Sequence, residues 1–220
     1  MVCGKMIKIL FEDNHLLVIE KPVNVPVQAD ISHDDNLLDV LKNYLKEKYQ
    51  KQGNVYLGLV HRLDRPVGGV MVFAKTSKAA SRLSKQVQEH KFKKEYHAVI
   101  EGNINDKGNF IDRLIKDEYH NKVSVNKKGK EAELSYERVS FKDGLSLVKI
   151  NLKTGRSHQI RVQFSYHGYP LYGDQKYNQN AKVGQQICLW ATGLGFIHPI
   201  SKEILWFTSN YPDKKPWNLF

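Results

Sequence analysis

A single carboxylate between two arginines is the first feature of this sequence that could carry out chemistry. Asp64 lies between Arg62 and Arg65 in the segment from His61 to Gly69, HRLDRPVGG. A nearby positive charge favours the ionised form of a carboxyl group. An ionised aspartate can act as a covalent nucleophile or as a base, whereas a general acid has to keep its proton. The same pattern is common in structural ion-pair networks, so the segment by itself leaves both interpretations open.

Two further segments carry side chains that suit the binding of a polyanion. Tyr96 follows the lysine-rich KFKK at 91–94 on what resembles an exposed strand. An aromatic face beside lysines is what base stacking on a nucleic acid requires. Arg161 follows TGRSH, where its planar guanidinium can reach a carboxylate or a phosphate. The simpler alternatives are a tyrosine that packs across strands and an arginine on the surface.

The charge of the chain points to the same kind of partner. The 220 residues have a formal net charge of +11, and a basic field attracts polyanions and speeds their association. Nucleic acid is therefore the leading partner, and a lysine-rich surface without such a partner is the alternative. The apolar runs are far shorter than the roughly 20 residues that span a bilayer. Because the N-terminus also lacks the pattern of a signal peptide, we expect a cytoplasmic protein without a membrane anchor.

Metal binding has little support in the sequence. The chain contains 2 cysteines, Cys3 and Cys188, and 9 scattered histidines. Neither set has a zinc-ligand spacing or an HExxH pattern. Cys188 stands in the apolar run ICLWA, and we interpret it as a core residue.

The elements before the Asp64 segment are predicted from their periodicity. Segments 7–13 and 16–22 are typical of two strands of a hairpin. A helix is predicted from residue 37, with its cap at Asp34, Asp35 or Asn36. It carries an apolar stripe at helical spacing, formed by Leu37, Leu38, Leu41, Tyr44, Leu45 and Tyr49.

The Asp64 segment is predicted to connect two strands. VYLGLV at 55–60 leads into it, and GVMVFAK at 69–75 follows it. Gly68 and Gly69 permit a positive φ or a close backbone approach at the end of this connection. Asp64 is thus expected at the end of a strand.

The second half of the chain is predicted to be rich in antiparallel strands. A helix capped by Ser77 and a strand over 95–102 come first. Short strands are predicted at 122–125, 131–140 and 145–152, separated by KKGK and KDG turns. TGRSHQIRVQFSYHG at 154–168 is predicted to be a loop that feeds a helix, with Ser157 as a possible cap. The segments ICLWATGLGFIHP and EILWFTS are expected to be closing strands.

Three separated motifs together resemble the RluA family of pseudouridine synthases. They are HRLD with its downstream glycines and AKT, the tripeptide KEY at 94–96, and TGRSHQIR at 154–161. The resemblance extends from about residue 7 to about residue 208, and EDNHLLVIEKP and GYPLYGD are similar to further family segments. It departs at Val67, Gly68 and Gly69, where family members often have Thr-Ser-Gly, which puts the hydrogen bonding of the loop in doubt but not the aspartate.

The resemblance implies a fold, a reaction and roles for four residues. The fold is α+β, a mixed and mostly antiparallel sheet bent around a central cleft with flanking helices, here as a single catalytic domain over 1–220. Asp64 is the residue matching the essential aspartate, which acts while uracil is detached from C1′ of its ribose, turned and rejoined through C5. Arg62 would fill the space of the flipped-out base, Tyr96 would stack on the uracil, and Arg161 would pair with Asp64.

The resemblance also implies that no cofactor or metal is needed and that the additional N-terminal RNA-binding domain of some members is absent. The partner is RNA, with ribosomal RNA slightly favoured over transfer RNA, and we expect a monomer. RNA would be held by Lys91, Lys93, Lys94 and the KKGK turn at 127–130. Two alternatives stay open: a non-catalytic RNA-binding protein of the same fold, and a metal-dependent nuclease or other phosphoryl-transfer enzyme.

Overall fold

The computed structural model describes residues 7–30 and 34–220, so Cys3 and His33 lie outside the described residues. The strands are β1 Lys8–Glu12, β2 Leu16–Lys21, β3 Gly58–Leu59, β4 Gly68–Ala74, β5 Lys93–Glu101, β6 Lys107–Asp117, β7 Lys122–Val125, β8 Lys130–Lys142, β9 Leu145–Leu152, β10 Leu189–Ile197 and β11 Ile204–Thr208. The helices are α1 Leu37–Lys48, α2 Ser77–Gln88 and α3 Gln159–Tyr166, and a short 3-10 helix covers Trp217–Leu219.

The chain forms two compact units. Unit 1 takes in the chain up to Phe92 together with Gly193–Ser209, and unit 2 takes in Lys93–Thr192 together with Asn210–Phe220. The prediction of a single catalytic domain over 1–220 stays a prediction.

Unit 1 is built around the antiparallel pairing of β2 with β4. The register runs from Leu16 opposite Ala74 to Lys21 opposite Gly69. β1 pairs with β2, β3 pairs with β4, and β11 pairs with β10, all antiparallel. Both central strands are buried almost throughout, and one face of them, with Leu16, Val18, Val70 and Val72, packs against Ala79 and Leu83 of α2. This buried register fixes where β4 begins, and therefore where the Asp64 loop ends.

Unit 2 is an antiparallel sheet whose strands follow the order β5, β9, β8, β6 and β7. The pairs β5 with β9, β8 with β9, β6 with β8 and β6 with β7 are each antiparallel. α3 packs Val162 against Leu114, Val123 and Ala132 of this sheet. The unit therefore holds the start of β5 and the start of α3, where two of the predicted site residues lie.

Most of the predicted elements are confirmed. The hairpin of β1 and β2, the helix α1 with its Asn36 cap, and the strands β4, β7, β9, β10 and β11 lie where the sequence predicted them. The α+β class with a mostly antiparallel sheet is confirmed as well. Cys188 is 3% exposed, and burial raises the pKa of its thiol to about 12, as expected for a core residue.

Four details of the prediction were wrong. β6 was missed because Ile111 and Ile115 are exposed and blur the alternation of the strand. The strand predicted over 55–60 is only Gly58–Leu59. Helix α2 is capped by Thr76 instead of Ser77, and α3 begins after His158 without a side-chain cap from Ser157.

A buried ion cluster joins β1 to the end of β4 in unit 1. The Glu12 carboxylate accepts hydrogen bonds from Lys48, Lys75, Tyr44 and Tyr49 at 2.6–3.0 Å. The side chains of Glu12 and Lys75 are 7% and 8% exposed. Burial by itself raises the pKa of Glu12, but the four hydrogen bonds outweigh burial and lower the pKa from 4.5 to about 2.

Replacing Glu12 by glutamine is expected to lower the free energy of unfolding at pH 7 by about 1–3 kcal/mol, because Lys48 and Lys75 lose a charged acceptor. A lowered pKa contributes stability above the unfolded-state value, and that contribution is lost as the pH falls through the folded-state value. The difference between wild type and Glu12→Gln should therefore shrink as the pH falls from 4.5 towards 2. Urea unfolding at several pH values measures it. The exposed control Glu118→Gln should change little, and an equal loss in both variants would contradict the role of the cluster.

Candidate active site

Asp64 lies in the loop between β3 and β4, in unit 1. The loop is closed by a backbone hydrogen bond in which Val67 N–H donates to the Asp64 carbonyl at 3.0 Å. Gly69 has φ +119°, a conformation that side chains rarely adopt, so a glycine is required where the loop enters β4. Asp64 itself is partly buried, and Val67 is 2% exposed. The loop is thus ordered through its backbone, although it lacks the hydroxyl groups of Thr-Ser-Gly.

The buried side chain of Lys21 holds the Asp64 loop through hydrogen bonds. Lys21 is 0% exposed, and its ammonium donates to the carbonyls of Pro22, Arg65 and Val67 at 3.0, 3.0 and 2.9 Å. Burial of a charged group is costly unless hydrogen bonds compensate, and these three carbonyls supply them. Two of the acceptors follow Asp64 directly in the chain, so Lys21 fixes the backbone that carries the carboxylate. The sequence analysis placed Lys21 in a strand and assigned it no role.

The two arginines beside Asp64 differ in their surroundings. Arg65 is ion-paired with Asp34 and, at 3.8 Å, with Asp30. Arg62 is exposed, and among the described residues it forms no hydrogen bond and no ion pair. Arg62 is therefore available to a ligand, whereas Arg65 contributes to the structure of the loop.

Tyr96 lies in β5 of unit 2 and is 8% exposed, so the expectation of an exposed position was wrong. It is paired with Ile150 of β9, which in turn is paired with Tyr136 of β8. Residues directly opposite one another in an antiparallel pair project to the same face, so these three side chains form a row. Tyr96 therefore shares its face of the sheet with Ile150 and Tyr136.

Thr154, Gly155 and Arg156 form a loop before α3, called the TGR loop below. A network of side-chain hydrogen bonds holds this loop. Gln159 accepts from the Thr154 hydroxyl at 2.8 Å and from Arg156 N–H at 3.0 Å, and its amide donates to the Glu133 carbonyl at 3.1 Å. Thr154 in turn accepts from Glu133 N–H at 2.9 Å. Arg156 Nε also donates to the Glu131 carbonyl at 2.8 Å, so the loop is attached to β8 at both Glu131 and Glu133.

Arg161 forms a buried, bidentate ion pair with Asp174. Its Nε and Nη2 atoms donate to the two carboxylate oxygens at 2.8 and 2.6 Å, and the side chains are 7% and 1% exposed. The guanidinium carbon also lies 5.1 Å from the centre of the Tyr177 ring. Asp174 was not singled out in the sequence, although it ends the GYPLYGD segment of the family resemblance.

Two of the four predicted site residues lie in each compact unit. Arg62 and Asp64 are in unit 1, and Tyr96 and Arg161 are in unit 2. The predicted pairing of Arg161 with Asp64 stays a prediction.

Two searches of the structure gave no hits within residues 7–30 and 34–220. No group of three or more histidine, cysteine, aspartate or glutamate side chains there is arranged to hold a metal ion. None of the helices in these ranges is long and apolar enough to span a membrane.

The architecture agrees with that of solved pseudouridylate synthases. The human RNA pseudouridylate synthase domain containing 4 superposes with a TM-score of 0.78 at 24% identity, over 93% of this chain and 88% of that chain. The human RNA pseudouridylate synthase domain containing 1 superposes with a TM-score of 0.75 at 20% identity, over 94% and 84%. The fold is thus the pseudouridylate synthase fold.

Sequence similarity to known proteins is equally specific. Residues 15–166 match the RNA pseudouridylate synthase family. The chain is 32% identical over 220 residues to ribosomal large subunit pseudouridine synthase D of Zymomonas mobilis, covering 94% of this chain and 69% of the relative. It is 34% identical over 209 residues to the uncharacterized RNA pseudouridine synthase YhcT of Bacillus subtilis, covering 93% and 68%. For ribosomal large subunit pseudouridine synthase C of Buchnera aphidicola the values are 33% identity over 205 residues, 87% and 63%.

The chain therefore belongs to the RNA pseudouridylate synthase family and is an RNA pseudouridine synthase of the RluA type. The resemblance predicted from HRLD, KEY and TGRSHQIR is confirmed.

Replacing Lys21 by methionine is expected to lower the free energy of unfolding by about 2–4 kcal/mol, because three loop carbonyls lose their donor. The volume of the side chain is nearly kept, so the effect reports the hydrogen bonds. Urea denaturation of the purified variant measures it. The control Lys8→Met, at a side chain that is 66% exposed, should change stability by less than about 0.5 kcal/mol. Equal effects at the two positions would show that Lys21 does not fix the loop.

Replacing Asp174 by asparagine is expected to cost about 3–5 kcal/mol, because it leaves the Arg161 charge buried without its carboxylate. Thermal and urea unfolding provide the measurement. Asp106→Asn is the matched control, since Asp106 pairs with Arg138 but is 81% exposed, and exposed pairs contribute about 0–1 kcal/mol. A small loss at Asp174 would mean that the buried pair is not a structural anchor of α3.

Proposed function

We propose that Asp64 is the catalytic residue of this pseudouridine synthase and that its substrate is a uridine in ribosomal RNA. The observation that carries the proposal is the Asp64 loop: a partly exposed carboxylate on a backbone that the buried Lys21 holds in place. The ribosomal substrate is supported by the names of the relatives from Zymomonas mobilis and Buchnera aphidicola. Transfer RNA is the alternative substrate.

The reaction needs one ionised carboxylate near the sugar. The bond between C1′ of the ribose and N1 of uracil breaks, the base turns, and a new bond joins C1′ to C5. The proton on C5 is removed, and N1 gains one, so the product is an isomer of the substrate. The Asp64 carboxylate can add to C1′ as a nucleophile or remove the C2′ proton in a glycal route. Both routes use the same residue in the same protonation state.

The target base has to leave the RNA stack before Asp64 can reach its sugar, which costs a few kcal/mol. The exposed Arg62, free of partners among the described residues, is suited to occupy the space that the base leaves. Tyr96, with 8% of its surface exposed, offers a base only part of its ring. That exposure fits contact with one extruded uracil better than stacking on a run of bases. Arg161 is proposed to contact Asp64 while Asp174 fixes its guanidinium.

The exposed lysines on β7, in the turn after it and at the start of β8 are suited to bind RNA. Lys122, Lys127, Lys128 and Lys130 are exposed, and within the described part of the chain none of them is ion-paired with a carboxylate. Lysines of this kind neutralise phosphates and release counterions. Lys91, by contrast, is paired with Glu89 at 2.7 Å and is a weaker candidate.

The remaining expectations are kept as proposals. They are a single catalytic domain over 1–220, a monomer, action in the cytoplasm, and catalysis without a metal or cofactor. The non-catalytic alternative rested on the net charge and on Val67, Gly68 and Gly69, and the ordered backbone of that loop gives it no further support.

Replacing Asp64 by asparagine is expected to reduce pseudouridine formation by at least about 10⁴-fold, because the amide can neither add to C1′ nor accept a proton. RNA binding should stay within about threefold. Chemical mapping of pseudouridine in ribosomal RNA incubated with each protein, with a chelator present, measures the product. Asp143→Asn is the control, because Asp143 is exposed and has φ +52°, which asparagine tolerates. Undiminished product with Asp64→Asn would refute the proposal, and product that disappears with the chelator in wild type would point to a metal-dependent enzyme.

A further inference from the structure

Lys94 is partly buried and has no hydrogen-bond or ion-pair partner within residues 7–30 and 34–220. It lies near the start of β5 and is less exposed than its neighbour Lys93. In the described part of the chain its ammonium takes part in no hydrogen bond and no ion pair. Burial lowers the pKa of Lys94, because an ammonium withdrawn from water is poorly solvated. A cation in this position is costly to the free protein.

The ammonium of Lys94 lies against the TGR loop. A Cβ atom added at Gly155 would stand 2.9 Å from Lys94 Nζ, closer than real Cβ contacts come. Gly155 is not among the glycines with a positive φ, so its backbone conformation does not require a glycine. The missing side chain instead leaves room for the ammonium between the loop and β5.

The direction of the side chain brings this ammonium to the side of the sheet that carries Tyr96. Residues two apart in a strand project to the same face, about 6.6 Å apart along the strand. Lys94 is paired with Leu152 and Tyr96 with Ile150, so both lie in consecutive rows of that face. The carboxylate between them in sequence, Glu95, projects to the other face, where it is paired with Lys149 at 2.7 Å. It therefore does not neutralise Lys94.

We propose that the Lys94 ammonium, held against Gly155, binds a phosphate of the RNA substrate next to the nucleotide whose base contacts Tyr96. The inference rests on the proposed function, since Tyr96 marks the position of the base. Lysine binds a phosphate as a compact point charge and donates charge-assisted hydrogen bonds to its oxygens. The spacing of Lys94 and Tyr96 along β5 lies within the reach of one nucleotide from its base to its phosphate. A phosphate of the RNA thus becomes the ion-pair partner that Lys94 lacks among the described residues.

The test compares Lys94→Gln with Lys93→Gln, a matched loss of charge at the exposed neighbour on the opposite face. The substrate is the shortest ribosomal RNA fragment that wild type modifies. Lys94→Gln is expected to weaken binding of this fragment by about tenfold, and the dependence of log affinity on log salt should become shallower by about one phosphate contact. Lys93→Gln should have a smaller effect on both. The free energy of unfolding should be unchanged or raised in Lys94→Gln, because an unpaired buried charge is removed. Loss of stability with unchanged affinity would show a structural role and overturn the inference.

Neutral methylphosphonate linkages, placed one at a time around the target uridine, identify the phosphate. At one linkage the substitution should weaken wild type by about tenfold and leave Lys94→Gln unaffected. Equal sensitivity of both proteins at every linkage overturns the inference. Gly155→Ala should reproduce the loss of affinity, since the added methyl meets only the flexible end of Lys94.

The activity measurement tests the catalytic role of Asp64, and the binding measurements test the role of Lys94 independently of it. If wild type binds and modifies the fragment and Asp64→Asn does not modify it, the proposed function holds whatever Lys94 does. If Asp64→Asn retains full activity, the proposed function is wrong, while the binding measurements still show whether Lys94 contacts a phosphate.

Discussion

The buried ammonium of Lys21 is the interaction on which the position of Asp64 depends. A loop that carries a reactive carboxylate cannot be anchored through that carboxylate, so it has to be held by its backbone. Lys21 does so by donating to the carbonyls of Arg65 and Val67, on either side of Pro66. It lies at the end of a strand whose register is fixed by its buried side chains. The antiparallel pair of β2 and β4 in unit 1 therefore sets the place of the Asp64 loop.

In unit 2, the buried charged group that holds a predicted site residue is a carboxylate instead of an ammonium. The Asp174 carboxylate is almost fully buried and holds Arg161 by two parallel hydrogen bonds. Such a pair contributes geometry more than net stability, because the desolvation of two charges offsets much of their attraction. Gln159 does the same for the loop in front of α3. In both units, buried polar groups thus hold a predicted site residue or the loop that carries it.

The sequence predicted the strands with regular alternation, the helices with apolar stripes, and the segments that carry Arg62, Asp64, Tyr96 and Arg161. It did so because those signals are local. It could not predict the partners of Lys21 or Arg161, since three of those acceptors are backbone carbonyls and the fourth is a carboxylate 13 residues away. The burial of Tyr96, which is 8% exposed, also depends on tertiary packing that the sequence of β5 alone does not encode. Tertiary contacts decided these points.

The exposed lysines around β7 have a consequence for the protein without RNA. β7 is the last strand in the order of its sheet, and on this strand the Val123 N–H donates to the Tyr177 hydroxyl at 2.9 Å. The last strand of a sheet is the place where a strand of another molecule could pair. Charged side chains on a short edge strand oppose such pairing. Lys122 lies on β7 itself, and Lys127, Lys128 and Lys130 follow it. The same charges that attract a polyanion therefore keep neighbouring copies of the chain apart, which protects a basic protein against aggregation.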